Sequence, residues 1–109
     1  MVLLLIFLLI LNIGGIYMLL NEAIKIRLEN IMKEKNINSK YELSCDAGIN
    51  PSLLNDFFRN RTLYPRIDTL YLVCEGMHIT LEEFFNDDLF NIENIELKDS
   101  SEKYKKGIT

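Results

Sequence analysis

The chain has 109 residues, 49% hydrophobic and 26% charged, with a formal net charge of −4. That length bounds it at one small domain with extensions. Two cysteines outside any metal-ligand spacing and a single histidine argue against a disulfide framework, a zinc site and a catalytic set of acid, base and nucleophile, so no metal, cofactor or enzymatic activity is expected.

Met1 to Leu20 is almost wholly apolar, with Asn12 its one strongly polar side chain. Its length and apolarity suit a membrane-spanning helix. Lys25, Arg27, Lys33 and Lys35 behind it would then hold the rest of the chain in the cytoplasm. It makes a poor signal peptide, without a basic leading region or a small-residue cleavage site. The string Ile13-Gly14-Gly15-Ile16-Tyr17-Met18 supports another reading. Glycine codons begin GG, so Gly14-Gly15 is encoded by GGNGGN, and an A at the first N yields GGAGG, a ribosome-binding sequence just before Met18. Residues 1–17 are therefore expected to be an upstream leader ahead of a true start at Met18, with a membrane span as the alternative. Residues 18–88 are the expected domain, and 89–109 a polar flexible tail.

From Asn21 the apolar pattern is helical. Ala23, Ile24, Leu28, Ile31 and Met32 recur at three- and four-residue steps, with Glu22, Lys25, Glu29, Lys33 and Glu34 largely opposite. Asn21 is the expected N-cap, and the helix stops at Asn36-Ile37-Asn38. Ser39-Lys40-Tyr41-Glu42 fits a capping box and starts a second helix, which ends near Ala47-Gly48. Gly48 suits a left-handed turn. Asn50 caps a third helix with Pro51 in its first position, and Leu53, Leu54, Phe57 and Phe58 are its expected buried face. After a loop from Asn60 to Pro65, Arg66 or Asp68 opens a fourth helix. Ile67, Leu70, Tyr71, Val73 and Cys74 supply its core side, and Gly76 ends it. Thr80-Leu81-Glu82-Glu83 is a second capping-box match and starts a short fifth helix with Leu81, Phe84 and Phe85 inward. No segment reads as strand. A further short helix around Asn91 to Leu97 is possible within the tail.

Four motifs stand in order: Ser39-Lys40-Tyr41-Glu42-Leu43-Ser44, Gly48-Ile49-Asn50-Pro51-Ser52-Leu53-Leu54, Pro65-Arg66-Ile67-Asp68-Thr69-Leu70 and Ile79-Thr80-Leu81-Glu82-Glu83-Phe84-Phe85. In order and spacing they resemble the Cro and phage-repressor helix-turn-helix family, the XRE family of bacterial and phage transcriptional regulators, from Leu20 to Phe85. The resemblance implies an all-α, compact five-helix domain that acts on double-stranded DNA in the cytoplasm, as a homodimer. The second helix would cross the phosphate backbone and the third would enter the major groove. The family's turn glycine falls on Gly48, its small helix-packing residue on Ser44, and its buried aliphatic on Leu54. The Ser44 hydroxyl must then find a partner.

The same resemblance puts Asn50, Pro51, Ser52, Asn55, Asp56 and Arg59 on the outward face of the third helix. Asn55 is matched to adenine and Arg59 to guanine or phosphate. Lys40 falls on a phosphate-contacting position, and Arg61 and Arg66 would add phosphate contacts beside the groove. Asp56 opposes this, since a carboxylate there repels phosphate, as does the acidic total charge. The charge is uneven, however, with Asp87, Asp88, Glu93, Glu96, Asp99 and Glu102 all beyond Asn86. A dimer on a palindromic site would offset a modest affinity per subunit. The alternative is a protein-interaction module, an antitoxin or accessory factor with weak DNA affinity, and a third reading is a membrane-tethered regulator. Phe57, Phe58, Phe84 and Phe85 read as core packing rather than a base-stacking platform. Cys45 reads as partly exposed, and His78 as a loop residue.

Overall fold

The computed structural model describes residues 18–96. The apolar leader, and the expected tail beyond 96, lie outside the described residues. A two-residue strand β1 (Met18–Leu19) leads into five helices. These are α1 (Leu20–Glu34), α2 (Lys40–Ala47), α3 (Pro51–Phe58), α4 (Ile67–Gly76) and α5 (Leu81–Phe85). Two 3₁₀ turns, Asp88–Phe90 and Ile92–Asn94, bring the chain back to a second short strand, β2 (Ile95–Glu96). The five-helix, all-α architecture is the one expected.

Local chemistry explains where the helices begin. The Ser39 hydroxyl accepts from the Glu42 N–H at 3.0 Å, and the Glu42 carboxylate reaches back to the Asn38 N–H at 2.9 Å. Asn50 Oδ1 accepts from the Ser52 N–H at 3.0 Å, with Pro51 in the first turn of α3. Thr80 and Glu83 form the full reciprocal capping box of α5. The exception is α1. Its N-cap is Leu19, without a side-chain bond, and Asn21 lies inside the first turn, buried, with its Oδ1 unpartnered among the described residues. Asn21 is therefore not the cap. α4 likewise opens at Arg66 without a side-chain cap.

The helices α1 to α4 all end in one way. Asn36, Gly48, Asn60 and His78 hold left-handed φ values of 58°, 68°, 63° and 60°. Each donates its N–H three residues back, to Lys33, Cys45, Phe57 and Glu75. The next residue in each case, Ile37, Ile49, Arg61 or Ile79, donates five residues back, to Met32, Ser44, Asp56 or Cys74. This is the Schellman closure, which satisfies carbonyls that a helix end would otherwise orphan. The three isoleucines pack on the core. Arg61 breaks that pattern.

Gly76 does not end α4 by a left-handed turn; His78 does. Gly76 is small for another reason: a Cβ there would lie 2.8 Å from the Ala47 nitrogen and 3.0 Å from its Cα. Glycine lets the end of α4 cross against the end of α2, backbone to backbone.

The core joins Ile24, Leu28, Ile31 and Met32 of α1 to Leu43 and Ala47, Leu54 and Phe57, Leu70, Val73 and Cys74, Met77 and Phe84. Four expected core residues are exposed instead, and Phe58 and Leu81 only pack against its edge. Leu53, Ile67 and Tyr71 are exposed, at 44%, 68% and 55%, and Phe85 is mostly on the rim. Short helices bury only a narrow face: two inward residues satisfy α3, and α4 turns Leu70, Val73 and Cys74 inward, which throws Tyr71 out, while Ile67 stands exposed at the first position of α4. Phe58 is only half covered. Met77, which closes α4 and was not anticipated, is fully buried.

Residues 89–96 are docked rather than trailing. Phe90 packs against Phe84 and Phe85, with centroids 5.9 and 4.9 Å apart, and β2 pairs in parallel with β1, Met18 to Ile95 and Leu19 to Glu96. The short strand pair and the 3₁₀ turns stand where no strand, and one short helix, were expected. A second lock lies close by. Arg27 Nε and Nη2 donate to the Phe84 and Glu83 carbonyls at 2.7 and 2.8 Å, and Nη1 pairs with Asp87 at 3.3 Å. A cation at the carbonyl end of α5 also matches the helix dipole. Among the described residues no helix is long and apolar enough to cross a membrane.

Gly48→Ala meets no neighbour and should cost only its left-handed backbone, about 1 to 2 kcal/mol. Gly76→Ala forces two backbones apart and should cost more, about 2 kcal/mol or above. Urea denaturation of both variants checks the ranking. Burial pushes the Cys74 thiol from 9.0 to about 11, against a smaller lowering by Arg27. An unfolded chain ionises this thiol from pH 9 upward and the folded chain only near 11, so its contribution to stability is intact below pH 9 and is lost as the pH rises through 11. Native protein at pH 8 should accordingly react rapidly with a thiol reagent at the exposed Cys45 and not at Cys74, and denatured protein at both.

Candidate nucleic-acid interface

α2 and α3 meet around Gly48, and the pair presents one polar edge. At 3.6 residues per turn, Ser52, Asn55, Asp56 and Arg59 span an arc of roughly 100°. Leu54 and Phe57 lie on the opposite side, fully buried. Ser52, Asn55 and Arg59 are exposed, so the edge expected to face outward does so.

The neighbours of that edge fix what each side chain is free to do. Asn50 spends its Oδ1 on the Ser52 N–H, which leaves its amide N–H₂ as a donor only. Pro51 is exposed beside it and has no N–H to offer. Asn55 makes no side-chain hydrogen bond among the described residues, so both its amide groups remain available. Arg59 stands at the C-cap of α3 without a carboxylate within ion-pair distance among the described residues. Asp56 is not a bare acid on this edge: its carboxylate lies 3.5 Å from Arg61 Nη1.

That ion pair belongs to the way α3 ends. In a Schellman closure an apolar contact commonly joins the residue after the left-handed one to the end of the helix. In α3 those two positions are Arg61 and Asp56, and an ion pair takes the place of the contact. Arg61 keeps its head exposed, as does Arg66, which pairs with Asp68 at 3.1 Å at the start of α4. Lys40, the first residue of α2, lays its Nζ 4.4 Å from the centroid of the Phe58 ring, a cation–π contact that ties the start of α2 to the end of α3. Lys40, Arg59, Arg61 and Arg66 thus give this region four exposed cations, while the whole chain is acidic.

Ser44 sits at the packing point of α2, fully buried, and its hydroxyl donates to the Lys40 carbonyl one turn back at 2.8 Å. The partner its position demanded is therefore local. Sequence reasoning missed Lys25 and Asn60. Lys25 was placed on the solvent side of α1, yet it is only 7% exposed, and it donates to Asn60 Oδ1. The one legible signal was Asn60 itself, an asparagine directly after a helix, where the left-handed turn suits that residue type. Among the described residues no group of three His, Cys, Asp or Glu side chains is placed to hold a metal.

Two helices around a tight left-handed bend, the second with a buried apolar face and an exposed polar edge, define a helix-turn-helix domain. The model of the Cro/C1-type helix-turn-helix DNA-binding domain matches residues 27–88, more than half of the chain, and the chain belongs to that family. Comparison with curated proteins and with solved structures found no match.

Ser44→Ala removes a bond to a carbonyl that α2 already uses and raises helix propensity, so the stability should stay within about 0.5 kcal/mol of the parent. Ser44→Leu overfills the same buried site and should cost about 1 to 3 kcal/mol. Paired thermal and urea melts measure both.

Proposed function

We propose that this protein is a sequence-specific transcriptional regulator of the Cro/repressor type, which binds double-stranded DNA with α3 in the major groove. One observation carries the reading: Ser52, Asn55 and Arg59 form a free edge on a helix whose other side is locked in the core by Leu54 and Phe57. A reader of base edges needs free donors and acceptors on a support that does not shift.

In this reading Asn55 pairs with adenine and Arg59 with guanine. Ser52 and the Asn50 amide reach phosphate or a base edge. Pro51 starts the helix at the groove, and Lys40, Arg61 and Arg66 hold phosphates. Asp56 accepts from cytosine where one is in reach. Two subunits on a palindrome supply the affinity that one small acidic domain lacks. The place of action is the cytoplasm, where DNA of a bacterial or phage system is found.

The protein-interaction reading is favoured by a different observation, the exposed Ile67 and Tyr71 one turn apart on α4. The pairing of Asp56 with Arg61 weakens its electrostatic ground, because that carboxylate is already partly neutralised. Salt separates the two readings: phosphate contacts impose a steep fall in affinity with ionic strength, and a protein partner need not.

Selection from random duplex DNA should return a palindromic consensus. Asn55→Ala and Arg59→Ala should each weaken binding by about 1 to 3 kcal/mol and relax one base position, with an unchanged far-ultraviolet circular dichroism spectrum. Folded variants that keep full affinity and specificity would defeat the proposal.

A further inference from the structure

α3 carries the readout edge, yet its exit lacks the support that the other helices have. Ile37, Ile49 and Ile79 anchor the exits of α1, α2 and α4 in the core, whereas the residue at that position after α3 is the exposed Arg61. An exposed ion pair is a weak hold on a chain direction. The backbone bonds of the turn at Asn60 thus close it without the apolar anchor of the other three exits.

The structure places a cation there from below. Lys25 leaves the middle of α1 and runs beneath the end of α3. Its ammonium is buried, 3.4 Å from Glu22 Oε1 and 5.4 Å from the centroid of Phe57, and it donates to Asn60 Oδ1. Asn60 is the left-handed residue of the closure, and from that backbone its Oδ1 meets the Lys25 ammonium. A buried ammonium keeps its place because each of these partners replaces part of its lost hydration.

We propose that Lys25 is a positioning residue of the DNA-binding surface: through Asn60 it holds the turn that leads into Arg61, and so sets Arg61 for a phosphate. This rests on the regulator reading. Lys25 touches no nucleic acid itself. It converts a fixed point on α1 into a fixed direction for Arg61, the residue that follows Asn60.

The test uses the full chain and the duplex that the parent protein selects from random DNA. Lys25→Met keeps the bulk and removes the ammonium. Asn60→Gly keeps the left-handed backbone and removes the acceptor, and serves as the variant that retains its fold if the first does not. Both should bind about tenfold more weakly, the size of one lost charged contact. Both should also lower the slope of log affinity against log salt by about 0.9, one phosphate contact, which a merely loosened fold would not do. In an Arg61→Ala background neither change should weaken binding further, because the contact they support is already gone. The Arg61 and Thr62 amides should exchange faster in both variants without DNA. Parent-like affinity and salt slope in Asn60→Gly, or losses that simply add to that of Arg61→Ala, would overturn this proposal and leave the regulator reading standing. A parent protein that selects no duplex would overturn both.

Discussion

Two fully buried side chains, Leu54 and Phe57, seat the α3 helix in the body of this protein. α3 has eight residues, far below the length at which an isolated helix holds in water. Leu54 and Phe57 must therefore bury themselves against α1, α2 and α4, and each is essentially without solvent exposure. The outward polar edge of α3 follows from that seating. Once Leu54 and Phe57 face inward, the helical period turns Ser52, Asn55 and Arg59 outward. Ser44, the left-handed Gly48 and the missing side chain of Gly76 are the local conditions that let α2, α3 and α4 come close enough to form the seat.

Around this apolar seat the structure places polar bolts at chain ends rather than in the middle of helices. Arg27 closes the carbonyl end of α5 and reaches Asp87, which fastens the segment after α5 to α1. Lys25 does the corresponding job at the end of α3. Both are cations of α1 that the amphipathic pattern assigns to solvent or to a membrane flank. Long stems explain the discrepancy: lysine and arginine can leave the helix at its edge, cover apolar surface and deliver a charge to a neighbour. A hydropathy pattern records the charge and not the reach.

Charge and function are reconciled by location. The chain is net negative, with six of its sixteen acids after α5, while the loop from α3 to α4 holds Arg59, Arg61 and Arg66 and no acid. Within that loop the arginines differ. Arg61 and Arg66 each have an internal carboxylate, and Arg59 has none among the described residues. Exposed pairs of this kind are worth little and exchange readily for a phosphate. Asp56 and Asp68 therefore do not silence their arginines.

The existence, order and type of the five helices were legible from the residues, because their signals are short-range. Ser39 with Glu42, Asn50 with Pro51, and Thr80 with Glu83 are caps whose partners lie within four residues, and the spacing of Leu28, Ile31, Leu54, Phe57 and Phe84 records one buried face per helix. Gly48 belongs with them, since a bend between two helices calls for a left-handed residue. What remained illegible depends on which elements meet. The burial of Lys25, the exposure of Ile67 and Tyr71, the close crossing at Gly76 and the pairing of β1 with β2 join residues far apart in the chain, and no local pattern encodes them. Local hydrogen bonding and periodicity decide where helices start and which way they are amphipathic. Only the packed arrangement decides how wide a face each one buries, and so which polar side chains stay free to meet DNA.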